Sequence, residues 1–120
     1  MSFKGLRTVI YPAPELAKAK EWYTSILEEE PYFDEPYYVG FDIGGYELGL
    51  IPKRTPSKDG AVVYWGVTDI NETWEMLLKM GATPDEEVTY VGGEVYVATV
   101  IDPFGNTFGI IQNPSFKARD

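Results

Sequence analysis

The 120-residue sequence contains no cysteine and no histidine. Without cysteine the chain has no disulfide, no thiolate nucleophile and no zinc–thiolate site. Without histidine it also lacks the most frequent general base and the most frequent ligand of transition metals. The composition therefore removes the side chains on which most metal-dependent and acid–base catalysis relies.

Positive charge is also scarce, because nineteen acidic residues face only ten basic ones and the formal net charge is −9. An acidic protein repels nucleic acid and anionic membranes and favours cationic ligands, although the same charge also serves simply to keep a small protein in solution. No apolar run approaches the length of a membrane span, and the N-terminus lacks the basic and apolar regions of a secretion signal. We expect no nucleic-acid partner, no membrane partner and a cytoplasmic location.

The residues that are present are those of an ordinary domain with a real core. A length of 120 residues with 44% hydrophobic residues predicts a single domain over residues 1–120. Aromatic residues are frequent, with nine tyrosines and three tryptophans. Most of these belong in a core, but tyrosines that face a cavity also provide stacking surfaces for a ligand.

The segment from Asp102 to Gln112 carries the most specific pattern. Asp102 and Pro103 predict a tight turn, and a strand follows from Thr107 with alternating faces. The run Asp-Pro-Phe-Gly-Asn-Thr-Phe-Gly-Ile-Ile-Gln resembles the C-terminal signature of the glyoxalase, bleomycin-resistance and dioxygenase superfamily, also called vicinal-oxygen-chelate proteins. This resemblance implies a chain built from two copies of a strand, helix, three-strand module.

An internal repeat of about sixty residues agrees with that implication. Residues 45–50, Gly-Tyr-Glu-Leu-Gly-Leu, align with residues 105–110, Gly-Asn-Thr-Phe-Gly-Ile. We therefore predict an α+β fold with two βαβββ modules forming curved mixed β-sheets around a concave cavity. Module one covers about 5–52 and a linker 53–60, and module two covers about 61–113 before a patternless tail over 114–120.

Periodicity predicts the elements of each module. The predicted helices begin near Leu16 and at the capping residue Asp69, and they end near Leu27 and Gly81. The predicted strands cover residues 6–11, a short edge segment near Asp34, 37–43, 46–51, 61–67, 83–90, 94–101 and the run from 107. The nearly continuous apolar character of 61–67 favours a central strand, and 83–90 is expected to be irregular.

In metal-dependent members of the family, the ligands lie on the first strand and near the end of the last strand of each module. The resemblance places these positions at Thr8, Gly49, Val62 and Gly109. None of these side chains binds a divalent metal, except Thr8 weakly. We therefore predict no cofactor and no metal site.

Strand parity identifies the residues that should face the cavity and bind a ligand. These are Thr8, Ile10, Tyr38, Asp42, Glu47, Gly49, Val62, Tyr64, Gly109 and Ile111, with Tyr96 less certainly placed. Glu47 shares a face with Gly49, and there it is either a general base with a raised pKa, the partner of a cation, or a solvated rim residue. Asp42 has the same alternatives, and Asp102 is interpreted as a turn residue.

Three functions remain open. The first is a small-molecule binder similar to the bleomycin-resistance branch, which sequesters a cationic or aromatic compound such as an antibiotic without a protein-bound metal. The second is a lyase, isomerase or dioxygenase-like enzyme that is metal-independent and works through Glu47 or Asp42, with a metal-dependent enzyme as the weaker variant. The third is a protein-interaction subunit with a vestigial cavity. The resemblance also implies a homodimer, with modules that pair either within one chain or across the dimer.

Overall fold

The computed structural model describes residues 6–117, and the chain divides into two compact units. The first unit ends at Pro56 and the second begins at Ser57, within the segment interpreted as a linker. Each unit has the order strand, helix, three strands. The first contains β1 (Thr8–Pro12), α1 (Leu16–Leu27), β2 (Phe33–Glu35), β3 (Tyr38–Ile43) and β4 (Tyr46–Ile51). The second contains β5 (Tyr64–Gly66), α2 (Ile70–Lys79), β6 (Thr83–Gly92), β7 (Val95–Ile101) and β8 (Thr107–Gln112).

The first unit is a four-stranded mixed sheet in the order β1-β4-β3-β2. β1 runs parallel to β4, and the other neighbours are antiparallel. One face of this sheet packs against α1 and forms the core, whose fully buried side chains include Phe41, Leu48 and Leu50 from the sheet and Tyr23 from the helix. Because side chains alternate along a strand, Glu47 and Gly49 lie on the opposite face, which we call the far face of the first sheet.

The second unit repeats this plan in the order β5-β8-β7-β6. Its core lies between the sheet and α2, with Val100 and Ile110 from the strands and Ile70 and Leu77 from the helix almost completely buried. Here the far face is the side of the sheet that carries Gly109. The βαβββ order, the α+β class and the mixed sheets of both modules are thus confirmed.

Local sequence signals explain both helices. The bounds of α1 agree with the prediction from its apolar periodicity. At the start of α2 the side chain of Asp69 accepts a hydrogen bond from the backbone N–H of Glu72 at 3.1 Å, as expected of an N-cap. Gly81 follows this helix with φ +105°, a conformation that glycine adopts without steric cost.

The prediction that the fifth strand is central was wrong. β5 covers only Tyr64–Gly66 and lies at the edge of its sheet, beside β8. Its apolar run has a different cause: Trp65 points into the core and stacks on Phe108 with ring centroids 5.5 Å apart, whereas Val62 and Tyr64 remain 47% and 43% exposed. An edge strand that exposes apolar side chains is a candidate contact surface.

The remaining strand predictions hold with small shifts of their ends. β2 is a short edge strand, and β6 contains three register irregularities against β7. Residues 1–5 and 118–120, which include the start of the predicted first module and the last three residues of the predicted tail, lie outside the described part of the chain. Between residues 6 and 117 no helix is long and apolar enough to cross a membrane.

Candidate functional site

Three hydroxyl groups converge on the carboxylate of Glu47, on the far face of the first sheet. Thr8 Oγ1 donates to Oε1 at 3.0 Å, and Tyr32 Oη donates to Oε2 at 2.5 Å. The side chain of Tyr38 lies close enough to the same carboxylate to lower its pKa. Since an ionised carboxylate only accepts hydrogen bonds, the hydroxyl protons of Thr8 and Tyr32 point toward Glu47.

Strand register brings these groups together. In the parallel pair β1–β4, Thr8 lies directly beside Glu47, and in the antiparallel pair β3–β4 Asp42 lies opposite Glu47. Tyr32 comes from the residue just before β2, where its backbone N–H donates to the carbonyl oxygen of Gly40 at 2.9 Å. Its ring then passes over Gly40 on the way to Glu47.

The hydrogen bonds determine the protonation of the cluster. The bond from Tyr32 lowers the pKa of Glu47, opposed by desolvation and reinforced by the bond from Thr8 and by the nearby hydroxyl group of Tyr38. Desolvation and the nearby Glu47 carboxylate raise the pKa of Tyr38 to about 12, and the same carboxylate raises the pKa of Tyr32. At neutral pH Glu47 is therefore ionised and the tyrosines are neutral. This direction is opposite to the raised pKa that the general-base hypothesis requires of Glu47.

The cluster forms one wall of an open cleft of about 240 Å³ within the first unit. The residues that line this cleft are Arg7, Thr8, Tyr32, Asp42, Gly45, Tyr46 and Glu47. They bring two carboxylates and one guanidinium group. Asp42 also belongs to the β3–β4 turn, because its Oδ1 accepts a hydrogen bond from Gly45 N at 2.9 Å.

A tyrosine ring covers each of the two glycines that align in the repeat, Gly49 in β4 and Gly109 in β8. A Cβ atom at Gly49 would lie 2.7 Å from Cζ of Tyr38. One at Gly109 would lie 2.8 Å from Cδ1 of Tyr64 and 2.6 Å from the carbonyl oxygen of Val63. Contacts this short are not tolerated, so the absence of a side chain at both glycines is what allows the rings to lie on the strands.

The structure places most of the predicted binding residues on the far faces. Ile10 lies beside Gly49 and is 47% exposed, which completes the set predicted for the first unit. In the second unit Tyr64 lies beside Gly109, with Ile111 on the same face two residues further along β8. Val62, just before β5, is exposed.

Tyr96 is the exception, and its placement on the ligand face was wrong. It lies opposite Gln112 in the β7–β8 ladder, so both side chains project from the same face. The Oε1 atom of Gln112 accepts a hydrogen bond from the backbone N–H of Ile70, which places that face on the side of α2. Tyr96 instead contacts the ring of Tyr90, with centroids 5.3 Å apart.

Sequence reasoning missed Tyr32 and Arg7. Tyr32 lies just outside β2, so strand parity gave it no face, whereas Arg7, within the predicted strand 6–11, falls by parity on the face opposite to Thr8. One available signal was the pair Gly40 and Gly49, which alternation places on the same face and which are direct partners in the sheet. Two adjacent glycines leave room for rings from nearby aromatic residues.

The match to a family model extends over residues 5–110, most of the chain, and the model describes the glyoxalase/bleomycin resistance protein/dioxygenase superfamily. The chain belongs to this superfamily. No curated protein sequence matches it.

Solved structures of glyoxalase-type proteins share the fold. A lactoylglutathione lyase from Agrobacterium tumefaciens is 16% identical with a TM-score of 0.77, and the match covers 97% of this chain and 100% of that one. A glyoxalase-related enzyme from Fulvimarina pelagi is 14% identical with a TM-score of 0.77, covering 98% and 94%. A glyoxalase/bleomycin resistance protein/dioxygenase family enzyme from Burkholderia phytofirmans PsJN is 16% identical with a TM-score of 0.75, covering 88% and 95%.

The resemblance places the family's metal-ligand positions at Thr8, Gly49, Val62 and Gly109, and this set of side chains does not fit a divalent metal. It supplies one neutral hydroxyl oxygen, and tyrosine rings fill the space beside both glycines. Within residues 6–117 there is also no group of three or more carboxylate, histidine or cysteine side chains arranged to hold a metal ion.

Proposed function

We propose that this protein binds a small cationic or aromatic organic molecule, such as an antibiotic, without a protein-bound metal and without converting it. The observation that carries the proposal is the ionised Glu47 at an open cleft, held by hydrogen bonds from Thr8 and Tyr32. A fixed carboxylate beside aromatic rings attracts a cation and offers its apolar part a surface on which to pack. The net charge of −9 acts in the same direction over a longer range.

The two covered glycines support the metal-free part of the proposal. A carboxylate ligand introduced at Gly49 or Gly109 would need the space that Tyr38 or Tyr64 now fills. On the correspondence that the resemblance implies, these two glycines stand at metal-ligand positions of the family, and the rings offer a flat aromatic surface there instead.

The protonation of Glu47 favours binding over catalysis. A general base works best with a pKa near the working pH, and the hydrogen bonds from Tyr32 and Thr8 move the pKa of Glu47 away from that range. Asp42 accepts a turn hydrogen bond, which gives it a structural role. The geometry thus supports the binder more than a metal-independent lyase or isomerase.

We also propose that the protein forms a homodimer, as members of this superfamily often do. Exposed apolar side chains on the far faces, including Ile10 and Tyr64, agree with burial against a ligand or a second chain. Sedimentation velocity over a range of protein concentrations tests for the homodimer, since a stable dimer appears as a species with twice the monomer mass. A monomer at all concentrations would contradict the proposed homodimer.

Thermal unfolding against a compound panel tests the function, because a ligand that binds only the folded state raises the midpoint. The panel contains cationic and aromatic antibiotics, small oxo-acids, divalent metals and a chelator. We expect at least one cationic or aromatic compound to stabilise the protein with chelator present and to lose this effect in Glu47→Gln. The control is Glu75→Gln, which removes an equal charge from the exposed surface of α2. Stabilisation only by a metal, or turnover of a panel compound, would contradict the proposal.

A further inference from the structure

We propose that the cleft selects cations that carry N–H groups, such as primary ammonium, amidinium and guanidinium compounds, over quaternary ammonium compounds and over carboxylates. This inference rests on the proposed function and specifies the ligand class for the same cleft. It depends on how hydrogen-bond donors and acceptors are distributed around Glu47.

The two hydroxyl groups that hold Glu47 have used their donors. Thr8 and Tyr32 each have one hydroxyl proton, and each donates it to Glu47. What remains at the cleft is a set of acceptors: the lone pairs of these two hydroxyl oxygens and the unoccupied acceptor positions of the carboxylate. A ligand that fits this surface brings several donors and a positive charge.

Hydrogen bonding separates this mode of recognition from an aromatic cage. A quaternary ammonium ion has no N–H group and binds by cation–π attraction to the faces of aromatic rings. Here the hydroxyl end of Tyr32, not only its ring face, points to the anionic centre. An ammonium or guanidinium group satisfies those oxygen acceptors, whereas methyl groups would leave them without partners when water is displaced.

Arg7 is the one cation among the cleft residues, and it is the feature that an anionic ligand would use. Asp42 and Glu47 outnumber it, and Glu47 is held in place by hydrogen bonds. The net charge of the cleft residues is therefore negative and favours a cationic ligand, although the positive charge of Arg7 weakens the binding of that ligand.

Tyr32 is the specificity-determining residue in this arrangement, and Tyr37 provides its matched control. The two tyrosines are 63% and 64% exposed and lie five residues apart on either side of β2. Only Tyr32 reaches Glu47, while Tyr37 contacts the ring of Phe33. Replacing each with phenylalanine removes one hydroxyl group and preserves the ring.

The test uses three probes that share one aromatic ring: benzylamine, benzyltrimethylammonium and benzoate. Calorimetric titration of the full chain gives their affinities. We expect benzylamine to bind at least about fivefold more tightly than benzyltrimethylammonium, and benzoate most weakly. Tyr32→Phe should weaken benzylamine binding about threefold to tenfold and leave the affinity for benzyltrimethylammonium unchanged. Tyr37→Phe should alter neither affinity.

Four results would overturn the inference. The first is that benzyltrimethylammonium binds as tightly as benzylamine or more tightly, and the second is that Tyr32→Phe weakens the binding of both cations equally. The third is that benzoate binds most tightly of the three probes and loses this affinity in Arg7→Gln. The fourth is that benzylamine does not bind at concentrations up to about 10 mM. None of these decides the proposed function, which fails separately if no panel compound stabilises the protein in the presence of chelator. A preference for benzyltrimethylammonium that depends on Glu47 would leave the metal-free binder standing and replace its hydrogen-bonded mode by an aromatic cage.

Discussion

The ring of Tyr38 lies across Gly49, so that Cζ of the ring would be 2.7 Å from a Cβ atom at that glycine. Tyr64 covers Gly109 in the second unit, but from a different strand. Tyr38 belongs to β3, the antiparallel neighbour of β4, whereas Tyr64 belongs to β5, the parallel neighbour of β8. The repeated glycine is thus covered by a tyrosine in both units, although the two tyrosines are not equivalent in the repeat.

Gly49→Ala should destabilise the protein by about 1 kcal/mol, because the new methyl group forces Tyr38 to move from its position over the strand. The obstacle is a side chain that can rotate away, so Tyr38→Ala should remove most of the cost of Gly49→Ala in the double variant. Urea unfolding of the two single variants and the double variant measures this coupling.

Gly66→Ala is the control for a glycine within a strand. A Cβ atom at Gly66 would meet no atom within 4 Å, so this substitution should change the free energy of unfolding by less than about 0.5 kcal/mol. Equal costs for Gly49→Ala with and without Tyr38 would show that the ring is not the obstacle.

Gly109→Ala should cost more, about 2–3 kcal/mol, because a backbone atom blocks the space. The carbonyl oxygen of Val63 lies 2.6 Å from the position of the new Cβ and accepts the hydrogen bond of Gly109 N–H at 2.9 Å. Moving this carbonyl breaks the β5–β8 ladder. Tyr64→Ala should therefore fail to rescue Gly109→Ala in urea unfolding, and full rescue would contradict this account.

The fold was predictable because local signals and the repeat agree. The apolar stripe of α1, the N-cap Asp69 and the glycine turns each determine a local structure, and the alignment of residues 45–50 with 105–110 relates the two halves. Parity also assigned Glu47 and Gly49 to the correct face. The position of β5 was predicted wrongly because the prediction relied on apolar content alone. An edge strand that exposes Val62 and Tyr64 has the same composition as a central strand.

The site was only partly predictable, because its key contacts depend on irregular backbone. Tyr32 reaches Glu47 from the segment between α1 and β2, where no periodicity exists. Tyr96 was assigned to the wrong face because both faces of β7 carry apolar side chains, so that alternation alone does not identify the core side, whereas its pairing with Gln112 does. The lowered pKa of Glu47 could not be predicted from the sequence either, since it depends on hydroxyl groups from separate parts of the chain.

Asp102 and Asp42 occupy equivalent positions in the two repeated turns, and they should differ in their contribution to stability. The buried Asp102 carboxylate accepts hydrogen bonds from Phe104 N at 2.9 Å and Asn106 N at 2.8 Å. The exposed Asp42 carboxylate accepts one from Gly45 N at 2.9 Å. Asp102→Ala should cost about 2–3 kcal/mol and Asp42→Ala less than about 1 kcal/mol in urea unfolding, since only the first leaves buried donors without partners. Equal costs would contradict this difference.

Glu47 should make the stability of the protein depend on acid pH. Its pKa is lower in the folded chain than the ordinary value of 4.5, mainly because of the hydrogen bond from Tyr32. Its contribution is therefore fully present above pH 4.5 and is lost as the pH falls through the lowered folded value. Urea unfolding of the wild type and Glu47→Gln at about pH 7 and about pH 3 should show a stability difference that shrinks toward acid.

Two further variants separate the hydrogen bonds from the charge. Glu75→Gln removes one negative charge from an exposed helix surface and should not reproduce the pattern of Glu47→Gln. Tyr32→Phe removes the hydroxyl donor that lowers the pKa of Glu47 most, so it should shift the acid loss of stability to higher pH. An acid transition at the same pH in Tyr32→Phe and in the wild type would show that this hydrogen bond does not control the ionisation of Glu47.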